Sequence, residues 1–484
     1  MQDNLQKQTV FGLLWTFLQK FAKEGFSFIE GIILARLLIP SDYGLIAMTQ
    51  IFFAISACFI DSGFTTALTR DKKRTEIDYS TVYVTNVCLT FFFASLLFSC
   101  STLIANFYKE PILSDIVRAN SILLVLQSFN AVQATRMTIN LQFKELGIIN
   151  VTCSIIMGIT TIVFAFLGFG VWSLIYPNFL MPFLRFAFYW HYQHWFPSFK
   201  FSWIIWRKHF RFGSNLLLSS LLDTIWKNLY PLIIGKKYSA SQLGFYTKAK
   251  VYAHLPSQTL QGVLGQVTFP ILCSIQDDDK RLRNAYRRLI KVSCFITFPV
   301  LIGLAALAKP FIILLITEKW ATSIPYLQVL CLAAMWHPVH VLNLNLLKVK
   351  GRSDLFLKLE IAKKAIGLIV ILITAPLGVF YMCIGSVVSS FIALFINTYY
   401  TGKLINVGFI TQMKDVLPSL IYSFFMGITI IGVTWFISSL WIRLIMGIII
   451  GIISYLGIAT FTKSGELTYI RILVNEHILK RNGK

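Results

Sequence analysis

The chain has 484 residues, of which 56% are hydrophobic and 13% charged, and its mean hydropathy is +0.68. A soluble domain of this length cannot carry such a composition on its surface, so the sequence predicts a polytopic membrane protein. The formal net charge of +23 does not indicate a nucleic-acid partner, because basic blocks such as 70–74 and 280–291 fall between apolar runs.

Apolar runs of about 20 residues, each long enough to cross a bilayer, recur along the whole chain. They predict an all-α fold of about fourteen transmembrane helices, with no polar stretch long enough for a separate soluble domain. Lys7 leads directly into the first run without the pattern of a cleaved signal peptide, so we expect the first helix to be retained. The predicted spans are 10–35, 44–68, 81–105, 112–138, 147–168, 170–192, 212–235, 244–273, 289–316, 324–347, 358–378, 380–402, 415–438 and 441–462.

Lys and Arg collect in alternate loops, after the second, sixth, eighth, tenth and twelfth spans and in the tail. By the positive-inside rule, this asymmetry predicts that both termini lie in the cytoplasm. The opposite connections are short, for example 168–170. Because they are too small to hold a catalytic domain, they weigh against a membrane glycosyltransferase or ligase.

The first span contains charged residues that need an explanation. At about 100° per residue, Lys20, Lys23, Glu24 and Glu30 fall on one face of the helix, and apolar residues take the rest. A charge at the bilayer centre costs on the order of 3 kcal/mol, so such a face is expected to turn toward a bundle interior or a wet cavity. These four residues are therefore candidates for a functional site.

The sequence IILARLLIPSDYGLIA at 32–47 is echoed by IIGKKYSASQLGFYT at 233–247. The echo predicts an internal repeat whose two units share one orientation. We expect a six-helix lobe at 1–200, a second six-helix lobe at 201–405, two additional helices at 406–464 and a cytoplasmic tail at 465–484.

The repeat gives the charged face of the first span a counterpart in the seventh span. There, Asp223 and Lys227 follow helical spacing at nearly the same depth, which predicts a cavity between the lobes that both faces line. Arg118 and Lys248 are further candidates, because both lie toward external helix ends, where the positive-inside rule gives no reason for them. The candidates for binding a coupling proton or sodium ion are Glu24, Glu30, Asp61 and Asp223.

Structural roles compete with these interpretations. Lys20 and Glu24 form an i, i+4 pair that neutralises itself in the simpler account, and Arg36 and Lys236 reach the outer interface by snorkelling. The eight cysteines lack metal-ligand spacing and are interpreted as packing residues. His337 and His340 match neither a metal-ligand nor a nucleophile pattern, so we interpret them as packing or interfacial residues. No metal and no cofactor are expected.

The order and spacing of several motifs resemble bacterial polysaccharide flippases of the oligosaccharide-lipid transporter group, within the multidrug/oligosaccharidyl-lipid/polysaccharide exporter superfamily. The resemblance covers nearly the whole chain. It is carried by ILARLLIPSDYGLIAM (33–48), DSGFTTAL (61–68), FYKEP (107–111), GFGVWSL (168–174), LIIGKKYSASQLGFYTKA (232–249), VTFPIL (267–272) and LKVKGRSDLFLKLEIAKK (347–364).

The resemblance implies a two-lobed, V-shaped bundle that is not an enzyme. The resemblance also implies that such a bundle moves undecaprenyl-diphosphate-linked oligosaccharide across the bacterial inner membrane, for cell-surface polysaccharide such as O-antigen, capsule or exopolysaccharide. We expect this movement to proceed by alternating access. We expect a monomer in contact with membrane lipids, a polysaccharide polymerase and export machinery as further partners, and no nucleic acid. The alternatives are a cation-coupled multidrug exporter of the same superfamily, a membrane transferase or polymerase, and a receptor or scaffold.

Overall fold

The structure is a computed structural model that describes residues 22–61, 63–71 and 73–474, with all of their side chains except those at 212, 215, 216 and 260–267. Every regular element in these ranges is a helix. A backbone inside a bilayer must satisfy its own N–H and C=O groups without water, and a helix does so within a single segment. The predicted all-α fold class is therefore confirmed.

The helices of the first half of the chain run from the charged first span to the end of the seventh predicted span. They are α1 (22–37), α2 (Pro40–Asp61), α3 (Phe64–Arg70), α4 (Glu76–Ser99), α5 (Ser101–Tyr108), α6 (Leu113–Ser128), α7 (Ala131–Ile139), α8 (Phe143–Phe166), α9 (Leu180–Tyr192) and α10 (Trp203–Lys237). Two short 3-10 helices, Gly170–Leu174 and Tyr176–Phe179, connect α8 to α9.

The second half begins with a long helix and continues to the last described residues. Its helices are α11 (Ala240–Ser274), α12 (Asp279–Ala306), α13 (Ala308–Ile316), α14 (Ser323–Ala334), α15 (His337–Val349), α16 (Ser353–Thr374), α17 (Val379–Ile405), α18 (Phe409–Trp435), α19 (Leu440–Phe461) and α20 (Gly465–Val474). A 3-10 turn, Glu318–Trp320, separates α13 from α14.

Several predicted spans contain a break. The run predicted at 112–138 is α6 followed by α7, and the run predicted at 324–347 is α14 followed by α15, which has Pro338 in its first turn. Proline is compatible with the first turn of a helix, where its missing N–H has no intrahelical partner anyway. In the described part of the chain, eight helices are long and apolar enough to cross a membrane, counting α2 with α3 and α14 with α15 as single spans. The count of about fourteen stays a prediction.

The outward faces of the membrane helices carry large apolar side chains. On α19, Ile452, Ile453 and Phe461 are exposed, and on α18 Phe425 and Ile428 are exposed. In water these side chains would form an extensive exposed apolar surface that favours aggregation, whereas in a bilayer they contact lipid tails. The packing therefore agrees with the composition in assigning the chain to a bilayer.

The chain divides into two compact units, with the boundary between Gly244 and Phe245. In the first unit α10 packs along α2, and α4 packs along α6. In the second unit α12 packs along α18, α18 along α19, and α16 along α17. The boundary by compactness lies later than the end of the predicted first lobe, and the lobe division at 1–200 and 201–405 stays a prediction.

Two glycines at equivalent positions of the predicted repeat make matching contacts. A Cβ atom on Gly44 would lie 1.8 Å from the carbonyl oxygen of Ala240, and a Cβ atom on Gly244 would lie 1.8 Å from the carbonyl oxygen of Pro40. Each glycine is in the first turns of a helix that starts after a short break, at 38–39 and at 238–239. All four residues belong to the first unit. The internal repeat itself stays a prediction.

Candidate functional site

The charged face of α1 lies partly on the surface and partly against α8. Lys20 lies outside the described residues, Lys23 and Glu24 are exposed, and Glu30 is half-buried. A Cβ atom on Gly158 of α8 would lie 3.0 Å from the carboxyl carbon of Glu30, so this glycine lets the Glu30 side chain approach α8 closely. Exposed charges on a membrane helix need water or lipid headgroups around them. Lys23 and Glu24 therefore remain candidates for a wet surface.

The polar face of α10 is exposed at the predicted positions. Asp223 and Lys227, one helical turn apart, are both exposed. A neighbouring side of α10 contacts α2, where the Cys58 sulfur lies 3.0 Å from the Thr224 hydroxyl oxygen. α10 is thus held by α2 on one side and presents a carboxylate and an ammonium group on another. That this pair faces the charges of α1 across a cavity stays a prediction.

Two other predicted cations have identifiable local contacts. The Arg118 Nε donates a hydrogen bond to the Ser101 hydroxyl oxygen at 3.1 Å, and its Nη1 lies 3.6 Å from an Asp115 carboxylate oxygen. Lys248 of α11 is buried, and its Nζ lies 5.8 Å from the ring centroid of the fully buried Trp320. Both cations therefore contact residues that were not predicted to belong to the site. Such local contacts agree with a structural role for Arg118 and Lys248. The remaining coupling candidate from the sequence, Asp61, ends α2 and is exposed.

The snorkelling expected of Lys236 agrees with its contacts. Its Nζ donates to the carbonyl oxygen of Phe107 at 2.5 Å and lies 4.2 Å from the centroid of the Phe107 ring. In snorkelling, the aliphatic part of a lysine covers apolar surface while its ammonium group reaches a polar group, here a carbonyl oxygen. Lys236 therefore serves the end of α10 rather than a binding site.

A cluster of ionisable groups ties the start of α10 to the start of α4. Lys208 pairs with Asp71, and the His209 Nε2 lies 3.3 Å from an Asp78 carboxylate oxygen. The hydrogen bond from Lys208 holds the pKa of Asp71 below its ordinary value. Asp71, Asp78 and His209 hold their ligand atoms within 4.8 Å of one another, a spacing that suits a metal ion. However, both carboxylates already accept hydrogen bonds: Asp71 from Lys208, and Asp78 from the amide and hydroxyl of Thr75. These bonds account for the cluster as a structural contact between the two helices.

The sequence interpretation missed a polar seam inside the second unit. Buried side chains of α15, α17 and α18 join there: Thr401 donates to Asn343 at 2.6 Å, and the amides of Asn343 and Gln412 exchange hydrogen bonds at 2.9 and 3.0 Å. On α16, Lys363 and Glu360 form an ion pair at 2.5 Å with both side chains largely buried. The sequence contained a signal for this ion pair, because Glu360 and Lys363 lie in a predicted span. A single charge pair at helical spacing carries little information about what surrounds it, however.

Comparison with known proteins assigns the chain to a family. Residues 33–325 match the family described as "Polysaccharide biosynthesis protein". The lipopolysaccharide biosynthesis protein WzxC of Escherichia coli (strain K12) is 26% identical over 377 residues, which cover 74% of each protein.

Solved structures share the fold. The lipid II flippase MurJ in an inward closed conformation superposes with a TM-score of 0.74 at 17% identity, covering 93% of this chain and 98% of that one. An inward-facing multidrug resistance MATE family transporter of the MOP superfamily superposes with a TM-score of 0.60 at 16% identity, covering 82% and 95%. At these identities the two structures establish the helical fold. Since the family match extends over more than half of the sequence, this chain belongs to the polysaccharide biosynthesis protein family.

Proposed function

We propose that this protein is a flippase that translocates undecaprenyl-diphosphate-linked oligosaccharide units from the cytoplasmic to the periplasmic leaflet of the bacterial inner membrane. Translocation proceeds by alternating access and supplies repeat units for a cell-surface polysaccharide. The observation that carries the proposal is that a polysaccharide biosynthesis family member has, over 93% of its length, the fold of a solved lipid II flippase.

The chemistry of the substrate fits the charges that the helices expose. A lipid-linked oligosaccharide presents sugars and a diphosphate, whose negative charges need cationic groups or water, while its polyprenyl tail remains in the lipid. Lys23 on α1 and Lys227 on α10 are exposed on helices of the first unit, and Lys20 precedes Lys23 by nearly one helical turn in the sequence. Cations inside membrane segments mark substrate pathways in transporters.

Protons or sodium ions supply the driving force in this proposal, and the carboxylates Glu24, Glu30, Asp61 and Asp223 are the candidates to bind them. Both termini lie in the cytoplasm, the protein acts as a monomer, and no cofactor takes part. A polysaccharide polymerase receives the flipped unit on the periplasmic side.

The proposal is tested in proteoliposomes that contain the purified full chain and a radiolabelled undecaprenyl-diphosphate oligosaccharide. A membrane-impermeant glycosidase reports how fast the label moves between the leaflets. The wild-type protein is expected to accelerate this movement over protein-free vesicles. Failure to do so, with correctly inserted protein, overturns the flippase proposal.

A paired substitution tests the cationic surface separately. Lys20→Ala combined with Lys227→Ala is expected to slow the movement about tenfold or more, because a hydrogen bond to a charged group contributes about 1.5–3 kcal/mol and about 1.4 kcal/mol is tenfold. Lys20→Arg combined with Lys227→Arg, which keeps both charges, is the matched control. If the alanine pair flips at the wild-type rate, the cationic cavity is abandoned while the flippase proposal stands.

A multidrug exporter is the second candidate, because the MATE transporter shares the fold at a TM-score of 0.60. Such an exporter needs an acidic surface for cationic drugs, and Glu24 and Asp223 are exposed. A panel of cationic drugs applied to cells that lack this protein distinguishes the two candidates. Hypersensitivity to several drugs supports the exporter, whereas accumulation of a lipid-linked oligosaccharide in the cytoplasmic leaflet supports the flippase.

A further inference from the structure

The second unit contains a histidine whose two ring nitrogens have different kinds of partner. The Nε2 of His340 lies 3.0 Å from the Ser390 hydroxyl oxygen, and that hydroxyl donates its proton to the carbonyl oxygen of Ala333 at 3.2 Å. Because the Ser390 proton is committed to Ala333, the hydroxyl oxygen is left to accept, and Nε2 must carry a hydrogen. The contact therefore fixes one of the two ring protons.

The other ring nitrogen faces an amide. The Nδ2 of Asn397 lies 3.1 Å from the Nδ1 of His340. An amide NH₂ group is a donor, so Nδ1 accepts and carries no hydrogen. His340 is consequently a neutral imidazole with its proton on Nε2. A second proton on Nδ1 would point directly at the hydrogens of the Asn397 amide.

Asn397 has an unused acceptor in the same place. Its side chain is 1% exposed, and its Oδ1 is buried without a hydrogen-bond partner among the described residues. A buried unpaired carbonyl oxygen is costly, and native proteins seldom retain one without a reason. Rotation of the amide by half a turn would place Oδ1 on the Nδ1 of His340, where it could accept a hydrogen bond only if Nδ1 carries a proton. With Nε2–H still donating to Ser390, a ring protonated at Nδ1 is an imidazolium.

The charges around His340 come from several helices. Lys363 of α16 and His337 of α15 act on His340 electrostatically, and the charge of Lys363 is balanced by Glu360 at 2.5 Å. His337 in turn acts on His254 of α11, as does Lys250. From α17 the neighbouring groups are the neutral Ser390 and Asn397, and from α12 the phenol of Tyr286 lies beside Thr401 and Gln412.

We propose that His340 and Asn397 form a two-state proton-binding site within the second unit, empty in this conformation and filled when the Asn397 amide rotates. In the filled state a proton from a hydronium ion adds to the Nδ1 lone pair, and the ring becomes an imidazolium. The Nε2–H bond to Ser390 is unchanged, Asn397 Oδ1 accepts from Nδ1–H, and no other covalent bond forms or breaks. A charge-assisted hydrogen bond replaces a neutral one, which offsets part of the cost of a buried charge.

The site is connected to the packing of three helices. Asn397 and Thr401 lie one turn apart on α17, and the Thr401 hydroxyl contacts the backbone carbonyl oxygen of Asn397 at 3.3 Å and donates to Asn343 of α15 at 2.6 Å. Asn343 bonds Gln412 of α18. The Asn397 side chain therefore lies one helical turn from a buried polar seam, on the same helix. Where the proposed flippase function holds, this site is a place at which the second unit binds a proton.

The experiment uses the full chain in nanodiscs without any lipid-linked substrate, so its outcome is independent of the flippase proposal. Histidine is labelled with ¹⁵N, and the His340 signals among the seven histidines are assigned by their loss in His340→Asn. At pH 8 the wild-type ring is expected to be the neutral Nε2–H tautomer. Asn397→Asp, which places a permanent acceptor on Nδ1, is expected to raise the midpoint of His340 protonation by about 1–3 pH units over wild type.

Two further variants keep the proposal testable if Asn397→Asp does not fold. Asn397→Leu removes the acceptor and is expected to keep His340 neutral at lower pH than wild type. Ser390→Ala removes the acceptor for Nε2–H and is expected to weaken the preference for the Nε2–H tautomer, which the Asn397 amide still favours. An Nδ1–H tautomer in the wild-type protein at pH 8 overturns the proposal. So does an unchanged midpoint in both Asn397 variants.

Discussion

The reciprocal contact of Gly44 and Gly244 makes a sharp prediction about stability. A methyl group at Gly44 would lie 1.8 Å from the carbonyl oxygen of Ala240 and 2.5 Å from its carbonyl carbon. Because the obstacle is backbone, no side-chain rotation relieves it, and the backbone segments around Gly44 and Ala240, both in the first unit, must move apart. Overpacking of this kind costs about 1–3 kcal/mol and occasionally more. We therefore expect Gly44→Ala to destabilise the protein by about that amount, and Gly244→Ala to do the same at Pro40.

The matched control is Gly432→Ala on α18, where an added Cβ atom has no heavy atom within 4 Å. This substitution is expected to be neutral or to stabilise the helix by about 0.5–1 kcal/mol, because alanine loses less conformational entropy than glycine. The assay is the midpoint temperature of unfolding of detergent-solubilised protein, measured at one fixed scan rate because membrane proteins often unfold irreversibly.

The double variant Gly44→Ala with Gly244→Ala tests whether both contacts belong to one crossing. Once the first methyl group has moved the two backbone segments apart, the second methyl group meets less steric overlap. The loss of stability in the double variant is therefore expected to be smaller than the sum of the losses in the two single variants. The reasoning is refuted if Gly44→Ala unfolds at the same temperature as Gly432→Ala. Strict additivity would show that the two contacts respond independently.

Two more predictions concern ion pairs at the ends of helices. The Asp415 side chain is 4% exposed and accepts two hydrogen bonds of 2.7 Å from Arg287. Asp415→Asn is therefore expected to lower the free energy of unfolding by about 1–3 kcal/mol, toward the lower value because the Arg287 side chain is 39% exposed. Thermal unfolding measures this loss beside the exposed control Asp277→Asn, which is expected within about 0.5 kcal/mol of wild type, and equal midpoint temperatures for the two variants contradict the prediction. Hydrogen bonds from Arg352 lower the pKa of Asp354 to about 2 from 3.8, so the pair persists at neutral pH and is lost as pH falls through about 2. Arg352→Gln is expected to return that pKa toward 3.8 in a carboxyl-carbon NMR titration, and an unchanged value would show that Arg352 is not the cause.

The sequence alone determined the class of the protein. Apolar runs of spanning length leave no soluble alternative. Because each run has about 20 residues, as a transmembrane helix needs, rather than the shorter length of a barrel strand, the all-α membrane fold follows from the sequence. The repeat at 32–47 and 233–247 also located the two turns at which Gly44 and Gly244 meet the opposite backbone.

Only the tertiary structure decided which polar groups have partners. Helical periodicity shows which residues share a face, but not what that face meets. Arg118 looked available as a cation in the sequence, and the structure joins it to Ser101 on α5. His340 looked like a packing residue, and the structure places it on Asn397, 57 positions further along the chain. Such contacts depend on how distant helices cross, because the free energy of a polar group in a membrane is set by its neighbours rather than by its position in the sequence.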